Sequence, residues 1–335
     1  MRFLIALLTL VAVALPATAS AKPIVGISDN RSVMFGDPLF ERLGVKKVRL
    51  VVSYNAMGAA RRGDNEISDR VAPYLASAQE RGIEVHVAFE HARGEALACE
   101  DTPKAPQCRL PSVAAYRSEV TKFLKRFPTV KSITAWNESN HNTQPTFDNP
   151  RRAGQFAKAA EAACRAANRR CTVVALDILD SASNPTDTKN LDYRRTAAFI
   201  RTARKAYGKK PKVCGIHNYA DVNRFRTTGT KALAKAMRCK SIWLTETGGL
   251  FDFASFWTKP TKRVGKCSTS ASCQVAAMKQ LFNKTVRAVK NIDRVYVYNF
   301  YSGDDGRFDA GIVSGTGETP TGKKRPAYNV VAKNI

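Results

Sequence analysis

Short apolar, β-branched runs recur along this chain at a nearly regular interval, and each ends abruptly in polar or ionisable residues. The runs are Ile24–Ser28, Lys47–Ser53, Glu84–Phe89, Ser132–Asn137, Thr172–Asp177, Lys212–Asn218, Ser241–Thr245 and Arg294–Phe300. The stretches between them are rich in Ala, Lys, Arg and Glu and read as amphipathic helices. Eight strands alternating with helices is the α/β pattern of a single-domain (β/α)8 TIM barrel, a fold of ~250 residues before insertions.

Two of the runs close on a carboxylate. Lys131–His141 reads KSITAWNESNH and passes from apolar residues into Asn137 and Glu138; Ser241–Gly249 reads SIWLTETGG and passes into Thr245 and Glu246. An ionisable residue that closes an apolar strand sits where a buried sheet meets a ligand crevice. A barrel places both on one rim, at the ends of strands four and seven.

Other positions gain meaning from the same frame. Arg49, inside an apolar strand, must be paired; a carboxylate on strand seven is a natural partner, and any structural acid is the alternative. His86, in mid-strand, reads as a packed residue. Glu90 and His91 line the rim or form a loop salt bridge. Helices are expected over Pro38–Leu43, over 68–82 with Ser68 or Asp69 as N-cap and Gly82 as the stop, over Arg152–Asn168, Arg194–Tyr207 and Ala327–Ala332.

An Asn-Glu pair ending strand four and a Glu ending strand seven resembles clan A of the glycoside hydrolases, the retaining (β/α)8 glycosidases. Arg49 falls at the clan's strand-two Arg, His217 and Tyr219 in GIHNY match its strand-six pattern, and Arg325–Tyr328, RPAY, is similar to a motif after strand eight in families 5 and 39. The chain departs from the clan at strand eight: VYVYNFYSG lacks the Trp that floors the sugar subsite, so Tyr298 or Phe300 would have to serve.

The resemblance implies hydrolysis of β-glycosidic bonds with retention, Glu138 as acid/base and Glu246 as nucleophile. Asn137 would bind the sugar 2-hydroxyl, and Tyr219 with Arg49 would stabilise the charge of Glu246. Glu138 would need a raised pKa, and His217 would contact a sugar hydroxyl or the surroundings of the nucleophile. Asp177 and Asp180 would bind a sugar hydroxyl or cap the turn at 181–185. The loop carrying Phe251, Phe253, Phe256 and Trp257 would meet sugar faces or pack on its own barrel. With the loop between Cys99 and Cys108 it favours an endo-acting enzyme on a polysaccharide. The substrate implied is a β-linked glucan, xylan, mannan or similar polymer. The alternative from another class is a non-catalytic glycan- or cell-wall-binding barrel.

Composition narrows the setting. Arg2, an apolar run from Phe3 to Leu15 and Ala19-Ser20-Ala21 read as a signal peptide over residues 1–21, leaving a barrel over 22–335 that is secreted, extracellular and monomeric. The apolar run is too short for a membrane span of ~20 residues. Eight Cys fit an oxidising compartment and pair by proximity as Cys99 with Cys108, Cys164 with Cys171, Cys214 with Cys239 and Cys267 with Cys273. No C-x-x-C spacing suggests a zinc site and no G-x-S-x-G elbow suggests a serine hydrolase. No metal or other cofactor is expected; a metal-dependent hydrolase would have to use His91, His141 and His217, which lack His-x-x-x-His spacing. The balance of 54 Lys and Arg against 28 Asp and Glu, net +26, suits an anionic or wall-associated polysaccharide or a merely solvated surface. No module for specific nucleic-acid recognition is present.

Overall fold

The computed structural model describes residues 22–60, 63–94, 97–181, 193–252, 267–303, 308–315, 317–319 and 322–335. The signal-peptide reading over residues 1–21 and the rings of Phe253, Phe256 and Trp257 lie outside the described residues. Eight parallel strands close into one barrel: β1 (Ile24–Ser28), β2 (Lys47–Ser53), β3 (Glu84–Glu90), β4 (Ser132–Thr134), β5 (Thr172–Leu179), β6 (Val213–His217), β7 (Ser241–Thr247) and β8 (Ile292–Tyr298). Each pairs with the next, and β8 pairs with β1 from Ile24 against Arg294 to Ser28 against Tyr298. The fold is the (β/α)8 barrel that the recurring runs predict.

The surrounding helices are α1 (Pro38–Leu43), α2 (Ala56–Ala60), α3 (Ala72–Glu80), α4 (Val113–Arg126), α5 (Pro150–Ala166), α6 (Arg194–Tyr207), α7 (Tyr219–Asn223), α8 (Thr228–Met237), α9 (Ser270–Gln280), α10 (Val286–Ala288) and α11 (Pro326–Ala332). Their ends follow local chemistry. Asp37 accepts a hydrogen bond from the Leu39 amide and Pro38 opens α1, while Gly44 stops it at φ +65°. Asn149 caps α5 through the Arg152 amide, again with a Pro at the first position. Ser68 and Asp69 do not cap the helix expected there. That helix starts earlier, as a π-turn over Ile67–Val71 running into α3, so both side chains lie within its first turn.

The barrel interior is filled in layers. At one level His86 packs against Trp243 and Tyr296, its ring nitrogens bonded to the hydroxyls of Ser132 and Thr134. Burial and the nearby Arg49 hold its pKa well below the ordinary value, so it is a neutral packed residue, as its mid-strand position predicts. Around the barrel, Trp136, Tyr116 and Phe156 form a continuous aromatic cluster under α4 and α5. The four disulfides join the pairs that proximity predicts.

The helix layer depends on one close approach. A Cβ on Gly154 of α5 would lie 2.0 Å from the Ala203 carbonyl oxygen of α6. Gly154→Ala therefore sets ~1 kcal/mol of helix propensity against a backbone clash of roughly 1–3 kcal/mol. The expected outcome is a lower melting temperature for the variant. A melting temperature at or above that of the parent would show that α5 and α6 separate freely.

Candidate active site

The site is built on the C-terminal ends of the strands, around a guanidinium. Arg49 of β2 is wholly buried. Its Nη1 donates to Glu246 Oε1 and, at 3.2 Å, to Ser28 Oγ; its Nη2 donates to Asn137 Oδ1 at 2.6 Å and to Asp177 Oδ2 at 3.4 Å. The second Glu246 oxygen accepts from the Tyr219 hydroxyl at 3.2 Å. Glu246 is thus the partner on strand seven that an Arg in a buried strand requires.

Glu138 approaches from just beyond β4. Its backbone is left-handed, φ +42°, an arrangement that costs a non-glycine residue about 1 kcal/mol or more and is found where a site over-determines it. His217 Nδ1 lies 2.8 Å from Glu138 Oε1 and 3.5 Å from Glu246 Oε2. One oxygen of each Glu and a ring nitrogen of His217 lie within 4.8 Å of one another. The two carboxylates therefore approach each other, and His217 Nδ1 reaches an oxygen of each.

Charge in this cluster is tightly compensated. Burial pulls the His217 pKa down, but the charges of Asp177 and Glu246 and the hydrogen bond to Glu138 outweigh it and push it up to about 10. Asp177, which burial alone would raise, is held down at about 2 by His217, Arg49 and the Thr245 hydroxyl. Burial would raise Glu138 too, yet hydrogen bonding and charge from His217, with His141 behind it, lower it. The raised pKa expected for Glu138 is thus corrected: the protonated His217 beside it outweighs burial and lowers it. Burial and Glu246 push the Tyr219 phenol well above its usual value, so it stays a donor.

The other expected residues divide. Asn137 lies inside the site, its amide nitrogen 3.5 Å from Glu90 Oε2. Tyr298 is half-buried, packed edge-on against Tyr219, and its phenol is raised by burial and by Glu246. Phe300 is not part of the site. It is wholly buried and packs edge-on against Phe40 of α1 and Tyr301, because the chain leaves the strand after Tyr298 and the alternation of faces ends there. Asp180 binds the Ala220 and Asp221 amides at the start of α7. His91 turns its Nδ1 to the Ala92 carbonyl, whereas His141 and His217 both approach Glu138; among the described residues the three His do not form one ligand cluster.

Asp177 is the functional residue whose role the sequence understates. It joins Arg49 and His217, which stands 3.3 Å away, and room for it is made by Gly215, where a Cβ would fall 2.0 Å from Asp177 Oδ1. Thr245 and Glu246 are consecutive yet both reach this interior, because the pairing of β7 with β8 shifts register between Leu244 and Thr247. Glu138, His217 and Glu246 also offer three ligand atoms for a cation. A metal would have to displace the His217 proton and enter beside Arg49, so the donor set fits an ion network better than a metal.

No family model and no curated protein matches the sequence. Solved structures do match the fold. A family 39 glycoside hydrolase from Bacteroides cellulosilyticus is 15% identical with a TM-score of 0.58 over 93% of this chain, which spans 63% of that enzyme's length. A GH10 xylanase from Bispora is 12% identical, TM-score 0.62, covering 94% of this chain and 97% of its own. A family 1 β-glucosidase from Thermotoga maritima is 13% identical, TM-score 0.57, covering 90% and 85%. All three families belong to clan A, the clan that the motifs resemble. At these identities the likeness establishes the (β/α)8 fold.

The ion network makes stability depend on pH. His217 is raised above its unfolded 6.5, so its contribution is complete below about 6.5 and is lost as pH climbs toward 10. Asp177 is depressed below its unfolded 3.8, so its contribution is present above about 4 and is lost as pH falls toward 2. Melting curves of the parent and His217→Gln from pH 3 to 10 should show the parent's advantage greatest between about 4 and 6.5. An advantage that stays constant from pH 5 to 10 would mean that His217 is not charged in the fold.

Proposed function

We propose that this chain is a secreted retaining glycoside hydrolase that cleaves β-glycosidic bonds within a polysaccharide. The observation that carries the reading is the pair of facing carboxylates, within 4.8 Å of each other and held by opposite kinds of partner. Retaining enzymes need carboxyl groups ~5–5.5 Å apart, one to attack the anomeric carbon and one to protonate the leaving oxygen. Arg49 and Tyr219 both converge on Glu246, which suits a nucleophile; His217 Nδ1 meets Glu138, which suits a group that must gain and lose a proton.

In the first step Glu246 attacks the anomeric carbon, the bond to the leaving oxygen breaks, and Glu138 delivers its proton to that oxygen. In the second, Glu138 takes a proton from water, whose oxygen displaces Glu246. The proton for the first step lies on His217, one hydrogen bond from Glu138, and a sugar that dries the gap favours its transfer to the carboxylate. Asn137, fixed by Arg49, is the group for the 2-hydroxyl, and Tyr298, packed against Tyr219 at the end of β8, would serve in place of the missing strand-eight Trp.

A cavity of about 310 Å³ is lined by Asn140, Asn142, Phe147 and Arg195, in the segment that follows β4 and at the start of α6. Glu100, in the loop tied by Cys99 and Cys108, borders it. Four disulfides support export, and among the described residues no helix is long and apolar enough to cross a membrane.

The purified chain, screened against β-linked polysaccharides, should release reducing ends, and NMR of the first product should show retained configuration. Glu138→Ala should lose at least roughly 10²-fold in turnover, and Glu246→Ala should fall below detection, each with an unchanged fold. Wild-type turnover in either variant, or an inverted product, would sink the assignment.

A further inference from the structure

The basic residues that look dispersed in sequence gather in the fold. Adjacent helices α4, α5 and α6 carry thirteen Lys and Arg against two carboxylates. Both carboxylates are engaged: Glu119 with Lys122 and the Gly58 amide, Glu161 with Lys209 and the Tyr207 hydroxyl. Across the outer face of these helices runs a groove of about 620 Å³. Arg117, Lys158 and Arg165 line it, with Gln155 beside them and Ala159 and Ala162 in its floor; no acidic residue contributes. All three cations are exposed, and among the described residues none lies in an ion pair.

We propose that this groove is a second, non-catalytic site that holds a carboxylated polysaccharide. Three like charges converging on one concavity, with no carboxylate in its lining among the described residues, focus a positive field on whatever lies in it. The occupant is a chain rather than a small anion, because the cations belong to two helices and line an open groove instead of closing on a point. Guanidinium forks match carboxylates in a bidentate way, and a Gln amide beside an alanine floor suits hydroxyls and the C–H face of a sugar ring. No aromatic ring lines the groove, so it offers no platform for stacking bases. The groove is on the helix layer, whereas the facing carboxylates are at the strand ends inside the barrel. Charge would thus anchor the protein without entering the cleavage site. The choice of a sugar polymer rests in part on the activity proposed above; the test reads binding alone, so its failure leaves that activity standing.

The experiment measures binding of the whole chain to polygalacturonate by affinity electrophoresis over a range of salt, with fully methyl-esterified polygalacturonate and duplex DNA as comparison probes. The triple variant Arg117→Ser, Lys158→Ser, Arg165→Ser is compared with a charge-matched triple variant elsewhere on the surface, Lys279→Ser, Lys284→Ser, Arg287→Ser, with melting curves verifying that both fold. The groove variant should lose at least tenfold in affinity and about two to three units of salt slope, by the release of one counterion per contact. The matched variant should change less than threefold. The proposal is overturned if both variants weaken binding equally, if the esterified polymer binds as well as the charged one, if DNA binds more tightly than polygalacturonate, or if the parent is not retained at all.

Discussion

A fully buried guanidinium holds this structure and its chemistry together. Taking Arg49 out of water costs several kcal/mol unless its donors are matched. The match comes from four separate segments: Ser28 at the end of β1, Asn137 beyond β4, Asp177 in β5 and Glu246 in β7. One side chain thereby cross-ties strands from around the ring. The contacts that satisfy the buried charge also fix where the Glu246 carboxylate lies. Asp177 extends the network to His217, and His217 carries it to Glu138.

Much of the barrel was legible in the residues, for a simple reason. Parallel strands buried on both faces need apolar runs, and the starts of most runs coincide with the starts of strands; β1, β2, α1 and α6 match to the residue. Departures occur where local pattern yields to a side chain's destination. The apolar run of strand four continues through Trp136, but β4 ends at Thr134 because Trp136 packs flat against Phe156 and bonds Gln144, turning the chain so that Glu138 can face inward. Tyr298 and Phe300 share parity, so alternation assigns them one face, but only Tyr298 belongs to the strand.

The site was legible in its members more than in its wiring. Arg49, Asn137, Glu138, His217, Tyr219 and Glu246 are joined in one network of contacts. Asp177 could not be separated from Asp180 by spacing, since both follow an apolar run; only the fold reveals that one bridges Arg49 and His217 while the other caps α7. The shift of register in β7, which brings Thr245 and Glu246 to the same interior, leaves no mark in composition. The state of Glu138 is hidden from the sequence for a related reason. Burial raises its pKa, whereas the imidazolium that reverses the sign arrives from strand six through the closure of the barrel.

That reversal fits the proposed chemistry. An isolated buried carboxyl group waiting in its protonated form would have to draw each new proton from solvent. In this site the proton is retained on His217, hydrogen-bonded to Glu138 at 2.8 Å and stabilised from its other side by Asp177. Passing it to Glu138 moves charge within the network without changing the network's total, so the low-dielectric interior has no new net charge to accommodate. Arg49 remains cationic throughout, since its pKa is raised by Glu246 and Asp177 even against burial. It therefore keeps a fixed positive charge beside one carboxylate, while His217 offers the other a proton that it can exchange. The asymmetry that a retaining mechanism demands of two identical side chains is, in this fold, the difference between a neighbour that cannot give up its proton and one that can.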